Sequence, residues 1–190
     1  MSDSKKLAGK RVAILAADGF EQSELFKPRQ ALIDAGATVD VVSLASGSIK
    51  GWNSDNWGDS IAVDKVVTDV SASDYSALVL PGGLFNPDAL RANKDAVNFV
   101  QGFFNEDSVK PVAAICHGPW VLVEAGVVKG RTMTSYPSIQ TDLKNAGVNW
   151  VDEEVVVDNG LVTSRNPDDI PAFNRKMIEE FCEGRHTETA

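Results

Sequence analysis

The chain has 190 residues, 43% of them hydrophobic, with 27 acidic against 18 basic side chains and a net charge of −9. That length suits about one domain, and folding hides roughly 70% of the surface of a chain this size, so the core needs no disulfide or metal staple. The negative charge excludes a global attraction to phosphate backbones or anionic lipid, so neither stable nucleic-acid binding nor membrane association is expected.

Residues 1–9 read as an N-terminal extension, 10–182 as a single domain and 183–190 as a flexible tail. Lys5, Lys6, Lys10 and Arg11 precede the apolar run VAILAA (Val12 to Ala17), but that run is short for a signal sequence and stops at Asp18-Gly19. It predicts a buried strand. Glu24 to Ala35 places Leu25, Leu32 and Ile33 on helical spacing, and Gly36 supplies a C-terminal stop. TVDVVSL (Thr38 to Leu44) predicts the next strand. The stretch from Ser46 to Asp64 carries Gly47, Gly51, Trp52, Trp57 and Gly58, and reads as a hairpin-like excursion with exposed turns, whose two tryptophans either cover a site or a partner or, the default for any single aromatic, cap the edge of the core.

ALVLPGG (Ala77 to Gly83) and PVAAIC (Pro111 to Cys116) predict two more strands, with a helix over Pro87 to Asn105 between them. Runs this apolar suit strands covered on both faces, and their alternation with helices is the grammar of βαβ units around a mainly parallel sheet. A helix near Pro119 to Ala125, a strand at Thr132 and a short helix over Ser138 to Ala146 follow. Asn159-Gly160 between apolar runs predicts a hairpin, and a helix from Pro167 or Asp168 to Phe181 closes the domain.

Cys116 and Cys182 are the two cysteines. They fit neither zinc spacing nor a CxxC redox centre, which favours a reducing, cytoplasmic setting. In AAICHGPW, Cys116 stands where an apolar strand ends and a helix begins. That is the context of a nucleophile elbow, which exposes a side chain above the sheet and aims backbone N–H groups at developing negative charge. The helix N-terminus favours thiolate, and the reaction class is attack on a carbonyl or aldehyde carbon. A lone cysteine is more often a small buried apolar side chain; the elbow and the adjacent His117 tilt the balance. His117 is the credible base, since His186 lies in the tail, and it needs an orienting partner. The Pro81-Gly82-Gly83 turn lets backbone approach a ligand closely. Glu24 and Asp88 each open a helix, where first-turn electrostatics is the default role, and each is a candidate partner of the cysteine. No cofactor or metal is expected.

ADGFEQSEL, DYSALVLPGG, PVAAICHGPWVLVEAGVVKGR, TSYPSIQTDLKNAG and WVDEEVVVDNGLVTSRNPDDIPAF together resemble the PfpI intracellular protease family. That family lies within the superfamily of the Parkinson-associated deglycase and the cofactor-free glyoxalases. The resemblance implies a flavodoxin-like three-layer α/β sandwich with Cys116 as nucleophile at the elbow, His117 as its partner and Glu24 hydrogen-bonded to the thiol. Gly83 and the amide of His117 match the oxyanion hole. Asp88 matches a carboxylate lent by a neighbouring subunit, with one extra residue in Leu84-Phe85-Asn86, so a homodimer or larger homo-oligomer is implied. Trp120 stands where relatives carry Gln, and either narrows the mouth of the site or packs helix against sheet. The function implied is a stress-protective hydrolase of glyoxal- or methylglyoxal-derived adducts acting on small aldehydes or glycated amino acids and proteins. An intracellular cysteine peptidase and a non-enzymatic redox-sensing or chaperone protein are the alternatives.

Overall fold

The computed structural model describes residues 5–105 and 108–184. Leu7, before the first strand, is wholly buried, and its N–H donates to Ala35 O at 2.9 Å. The elements that follow are β1 (Arg11–Leu15), α1 (Gln22–Asp34), β2 (Thr38–Ser43), the hairpin β3 (Ser48–Asn53) and β4 (Asn56–Ala62), β5 (Lys65–Val66) and β6 (Ala77–Leu80). Then come α2 (Phe85–Arg91), α3 (Lys94–Gln101), β7 (Val112–Ile115), α4 (Pro119–Ala125), α5 (Gln140–Asn145), β8 (Val156–Asp158), β9 (Leu161–Ser164) and α6 (Ile170–Glu183).

The central sheet has seven strands in the order β8-β9-β7-β6-β1-β2-β5, all parallel except the β8–β9 hairpin. Alternation along each strand splits the apolar side chains between two faces. Val12 and Ile14 of β1, Val79 of β6 and Ile115 of β7 join Leu25 and Leu32 of α1 and Phe173, Met177 and Phe181 of α6 in one buried cluster. Ala13, Leu15, Leu78, Leu80 and Ala114 join Phe99, Val100, Val121, Leu122 and Leu143 from α3, α4 and α5 in the other. The result is helix, sheet, helix: the flavodoxin-like α/β sandwich that the resemblance implies. The turn of the β8–β9 hairpin has Asn159 at φ 45° and Gly160 at φ 81°, the geometry for which Asn-Gly is suited.

The single helix expected over Pro87 to Asn105 is two helices. The chain breaks after Arg91, and Asn93 restarts it by accepting the Ala96 N–H at 3.0 Å, an ordinary N-cap. The tail residues 185–190, with His186, lie outside the described residues. Among the described residues, no helix is long and apolar enough to cross a membrane.

Candidate active site

Cys116 occupies the sharp corner between β7 and α4 with φ at 63°, a left-handed conformation that non-glycine residues rarely adopt. Hydrogen bonds hold the corner from both sides: Cys116 N donates to Ser164 O at 3.0 Å, Tyr136 N donates to Cys116 O at 2.9 Å, and Gly118 N closes on Ile115 O at 2.9 Å. Such strain persists where the surroundings impose it, and it collects at functional sites. Cys116 is 6% exposed.

Glu24, in the first turn of α1, is wholly buried beneath the same corner. Its Oε1 accepts the Gly82 N–H at 3.2 Å, and its carboxyl interacts with the Cys116 thiol. Gly82 must be glycine for this approach, because a Cβ there would lie 2.6 Å from both Cys116 Cβ and Glu24 Oε1. Burial pushes the Glu24 carboxyl from 4.5 up to about 8; the nearby Glu21 charge adds to the rise, and hydrogen bonds from Gly82, Cys116 and Gly83 oppose it. At neutral pH Glu24 is therefore a carboxylic acid. Burial also pushes the Cys116 thiol well above its ordinary range, and a negative charge on Glu24 pushes in the same direction, while the amides of Gly83 and His117 pull it down. The elbow and helix terminus thus favour thiolate less than their sequence context predicts. Retention of the Glu24 proton removes one of the two larger opposing effects.

His117 is half-buried, and burial lowers its imidazole below the ordinary value, so it is neutral at pH 7. Its Nδ1 lies 3.2 Å from Cys116 Sγ and its Nε2 lies 3.3 Å from Ser138 Oγ. One face stacks on Tyr136, centroids 4.7 Å apart, and Trp120 meets the ring edgewise at 5.1 Å. Trp120 is held by its Nε1–H, which donates to Asp142 Oδ2 at 2.9 Å, and by the Arg91 guanidinium 4.1 Å from its ring centroid. It therefore borders the imidazole as well as packing against the core.

The structure places Cys116, His117, Glu24 and Gly83 at one corner. Asp88 does not join them within the chain: its side chain is 61% exposed and takes the Arg91 guanidinium at 2.8 and 3.0 Å. The hairpin tryptophans stand apart from the Cys116 corner. Trp52 and Trp57 gather with Phe85 in an aromatic group, and Trp57 is 45% exposed.

Three residues at this site went unread in the sequence. Asn86 is wholly buried; its Nδ2 donates to Pro81 O and Gly82 O at 3.0 Å each, and its Oδ1 accepts the Ala17 N–H at 2.7 Å. It clamps the glycine turn to the end of β1. Ser138 and Tyr136 face His117 from the segment before α5. The asparagine just before a proline at a helix start carried no signal for its long-range partners, whereas Tyr136 and Ser138 stood inside a motif already singled out.

Residues 10–180 match the model of the DJ-1/PfpI family. The chain belongs to that family. It is 46% identical over 169 residues to a deglycase of Pyrococcus abyssi, covering 89% of this chain and 98% of that protein. It is 44% identical over 170 residues to YraA of Bacillus subtilis, a candidate cysteine protease by name, with 89% and 96% covered. Among solved structures, Drosophila melanogaster DJ-1beta superposes with a TM-score of 0.81 at 33% identity, covering 91% of this chain and 90% of that one. A two-domain protein of Anabaena variabilis superposes with a TM-score of 0.83 at 37% identity. The match covers 90% of this chain but 47% of that longer one, which also carries a ferritin-like domain. Among the described residues, the grouping of side chains with metal-compatible spacing is Glu179, Glu180 and Glu183 on α6, apart from the Cys116 constellation.

Proposed function

We propose that this DJ-1/PfpI family chain is a cysteine-dependent hydrolase of glyoxal- and methylglyoxal-derived adducts, with Cys116 as nucleophile. One observation carries the reading: the thiol stands on a strained corner between a protonated Glu24, the Nδ1 of a neutral His117 and the amides of Gly83 and His117. The thiol proton passes to His117 Nδ1 as sulfur forms its bond to the carbonyl carbon. The carbonyl electron pair moves to oxygen, which the two amides then serve as hydrogen-bond donors. Glu24, neutral and buried, stabilises the sulfur by hydrogen bonding and supplies an acid beside it. The deglycase name of the Pyrococcus abyssi relative supports this substrate class. A small electrophilic aldehyde or its adduct needs only this compact group of donors, whereas a peptide also needs positioning along an extended groove.

The deciding experiment compares purified wild type with Cys116→Ala against methylglyoxal, a glycated amino-acid thiohemiacetal and an unfolded peptide. Cys116-dependent turnover of the first two without the third is the expected result. Peptide cleavage that depends on Cys116 would support the peptidase reading instead, and holdase activity surviving the substitution would move the function away from Cys116.

A further inference from the structure

The His117 ring has two nitrogens, and the proposed chemistry uses one. For Nδ1 to take the thiol proton it must present a lone pair, so the single proton of the neutral ring must sit on Nε2. An Nε2–H turned away from Cys116 then needs an acceptor. Among the described residues, the side chain in hydrogen-bond reach of that nitrogen is the exposed hydroxyl of Ser138, 3.3 Å away. We propose that Ser138 is the positioning residue of the site, accepting the Nε2–H within the same chain and thereby fixing the tautomer and the aim of the imidazole at Cys116. This rests on the reading of Cys116 and His117 given above.

Ser138 is tethered to the corner that it serves. Its neighbour Tyr136 donates its N–H to Cys116 O at 2.9 Å and lays its ring on the imidazole, while Ile139 N closes a tight turn on Tyr136 O at 3.1 Å. Ser135 Oγ in turn accepts the Trp150 Nε1–H at 2.9 Å. The serine therefore moves with the cysteine and does not depend on a distant loop. The alternative orienting group, Asp88, is engaged with Arg91 inside its own chain and would have to arrive from a second copy. The two differ chemically. A carboxylate holds the ring by charge and stabilises the imidazolium, whereas a hydroxyl holds it without charge and leaves it free to give the proton back. The titratable or charged groups around the ring are Cys116 on its own turn, Tyr136 on one face, and Arg91 and Asp142 behind Trp120.

The test uses 15N-histidine-labelled protein with His186→Asn in every variant, so that His117 is the sole imidazole, and compares Ser138 with Ser138→Ala and Ser138→Thr. Nitrogen chemical shifts give the tautomer and the titration midpoint without reference to activity. Alkylation of Cys116 by iodoacetamide across pH gives the consequence for the thiol. The parent should carry its proton on Nε2. Ser138→Ala should move the tautomer ratio and slow alkylation at pH 7 by about 2- to 10-fold, the worth of one net hydrogen bond, and Ser138→Thr should restore both. A purely structural serine would change the melting temperature and leave the tautomer in place. The proposal fails if the parent protonates Nδ1, or if Ser138→Ala leaves both readouts unchanged. It fails equally if Asp88→Ala, and not Ser138→Ala, moves the His117 signals. Should Cys116→Ala retain full turnover, the functional reading falls while the nitrogen shifts still decide the role of Ser138.

Discussion

Replacing Glu24 with Gln should make the protein more stable and less active, and the stability gain should depend on pH. The buried carboxyl is pushed from 4.5 up to about 8, so it binds its proton more tightly in the folded chain than in the unfolded one. Its contribution is therefore fully present below about pH 4.5 and is lost as pH rises, with the loss complete above about pH 8. At roughly 1.4 kcal/mol per tenfold change in proton affinity, that loss is about 3 kcal/mol at pH 7 and about 5 kcal/mol beyond pH 8. The amide introduced by Glu24→Gln never ionises, keeps the acceptor for the Gly82 N–H and leaves one N–H short of a partner, at a cost of about 1 kcal/mol. The net expectation is a variant slightly less stable than wild type at pH 4.5 and more stable by about 2 kcal/mol at pH 7. Urea titrations between pH 4.5 and 8.5 give the difference curve, and repeating them in a Cys116→Ala background removes the thiol's own titration. Turnover should fall at least about 100-fold if Glu24 supplies a proton in the reaction. A stability difference that stays flat across this range would show that native Glu24 ionises like a solvated carboxylate, and the account of the site would be refuted.

Asn86→Ala should destabilise the fold by about 2–4 kcal/mol, because it leaves the Ala17 N–H and Pro81 O without their Asn86 partner and takes one of two donors from Gly82 O, which keeps the Glu21 N–H; Asn86→Asp, with no N–H to offer those carbonyls, should fail to rescue it in thermal melts. With thiol reagents, a bulky anionic disulfide should label the exposed Cys182 before the buried Cys116, whereas small, neutral peroxide should oxidise Cys116 first, because His117 Nδ1 at 3.2 Å takes the thiol proton as the sulfur reacts; mass spectrometry showing Cys182 oxidised first by peroxide would argue against an activated Cys116. Mixing Asp88→Ala with Cys116→Ala chains, with subunit exchange verified on tagged copies, should restore activity only if Asp88 acts across an interface; full activity of Asp88→Ala alone would leave it the exposed partner of Arg91.

The strands were legible because they are short continuous apolar runs covered on both faces: Val12 to Leu15, Ala77 to Leu80 and Val112 to Ile115 are buried without interruption. The elbow was legible for a related reason, since a cysteine directly after such a run and before a Pro-led helix has few other places to be. The apolar stripe through Leu90, Val97 and Val100 runs across the break, so periodicity alone predicts one continuous helix over Pro87 to Asn105. The interruption is decided by Asn93, whose side chain caps a new helix. That signal is local but weak beside hydrophobic periodicity. What escaped the sequence is set by distance along the chain. Asn86 reaches an amide 69 positions away and Ser138 a ring 21 positions away, and neither spacing has a pattern to read.

The proton of Glu24 belongs to that second class, and it bears most on function. A first-turn glutamate at an exposed helix start stabilises by less than about 1 kcal/mol through the helix dipole, which is all that its sequence position advertises. Burial turns the sign around: the same carboxyl now opposes folding at neutral pH, in contact with a cysteine whose backbone is itself strained. Gly82 admits the contact because any side chain there would collide with both groups, and buried Asn86 holds the turn that carries it. Two unfavourable features side by side, with an apparatus of hydrogen bonds dedicated to keeping them there, are hard to account for by stability alone. They are accounted for if the acid must keep its proton so that the neighbouring sulfur can lose its own. On that logic activity should decline as pH rises through about 8, where Glu24 ionises and its charge disfavours the thiolate. Glu24→Gln should abolish that alkaline limb while lowering the plateau. A limb that survives in the Gln variant would assign it to another group and separate the buried acid from the chemistry.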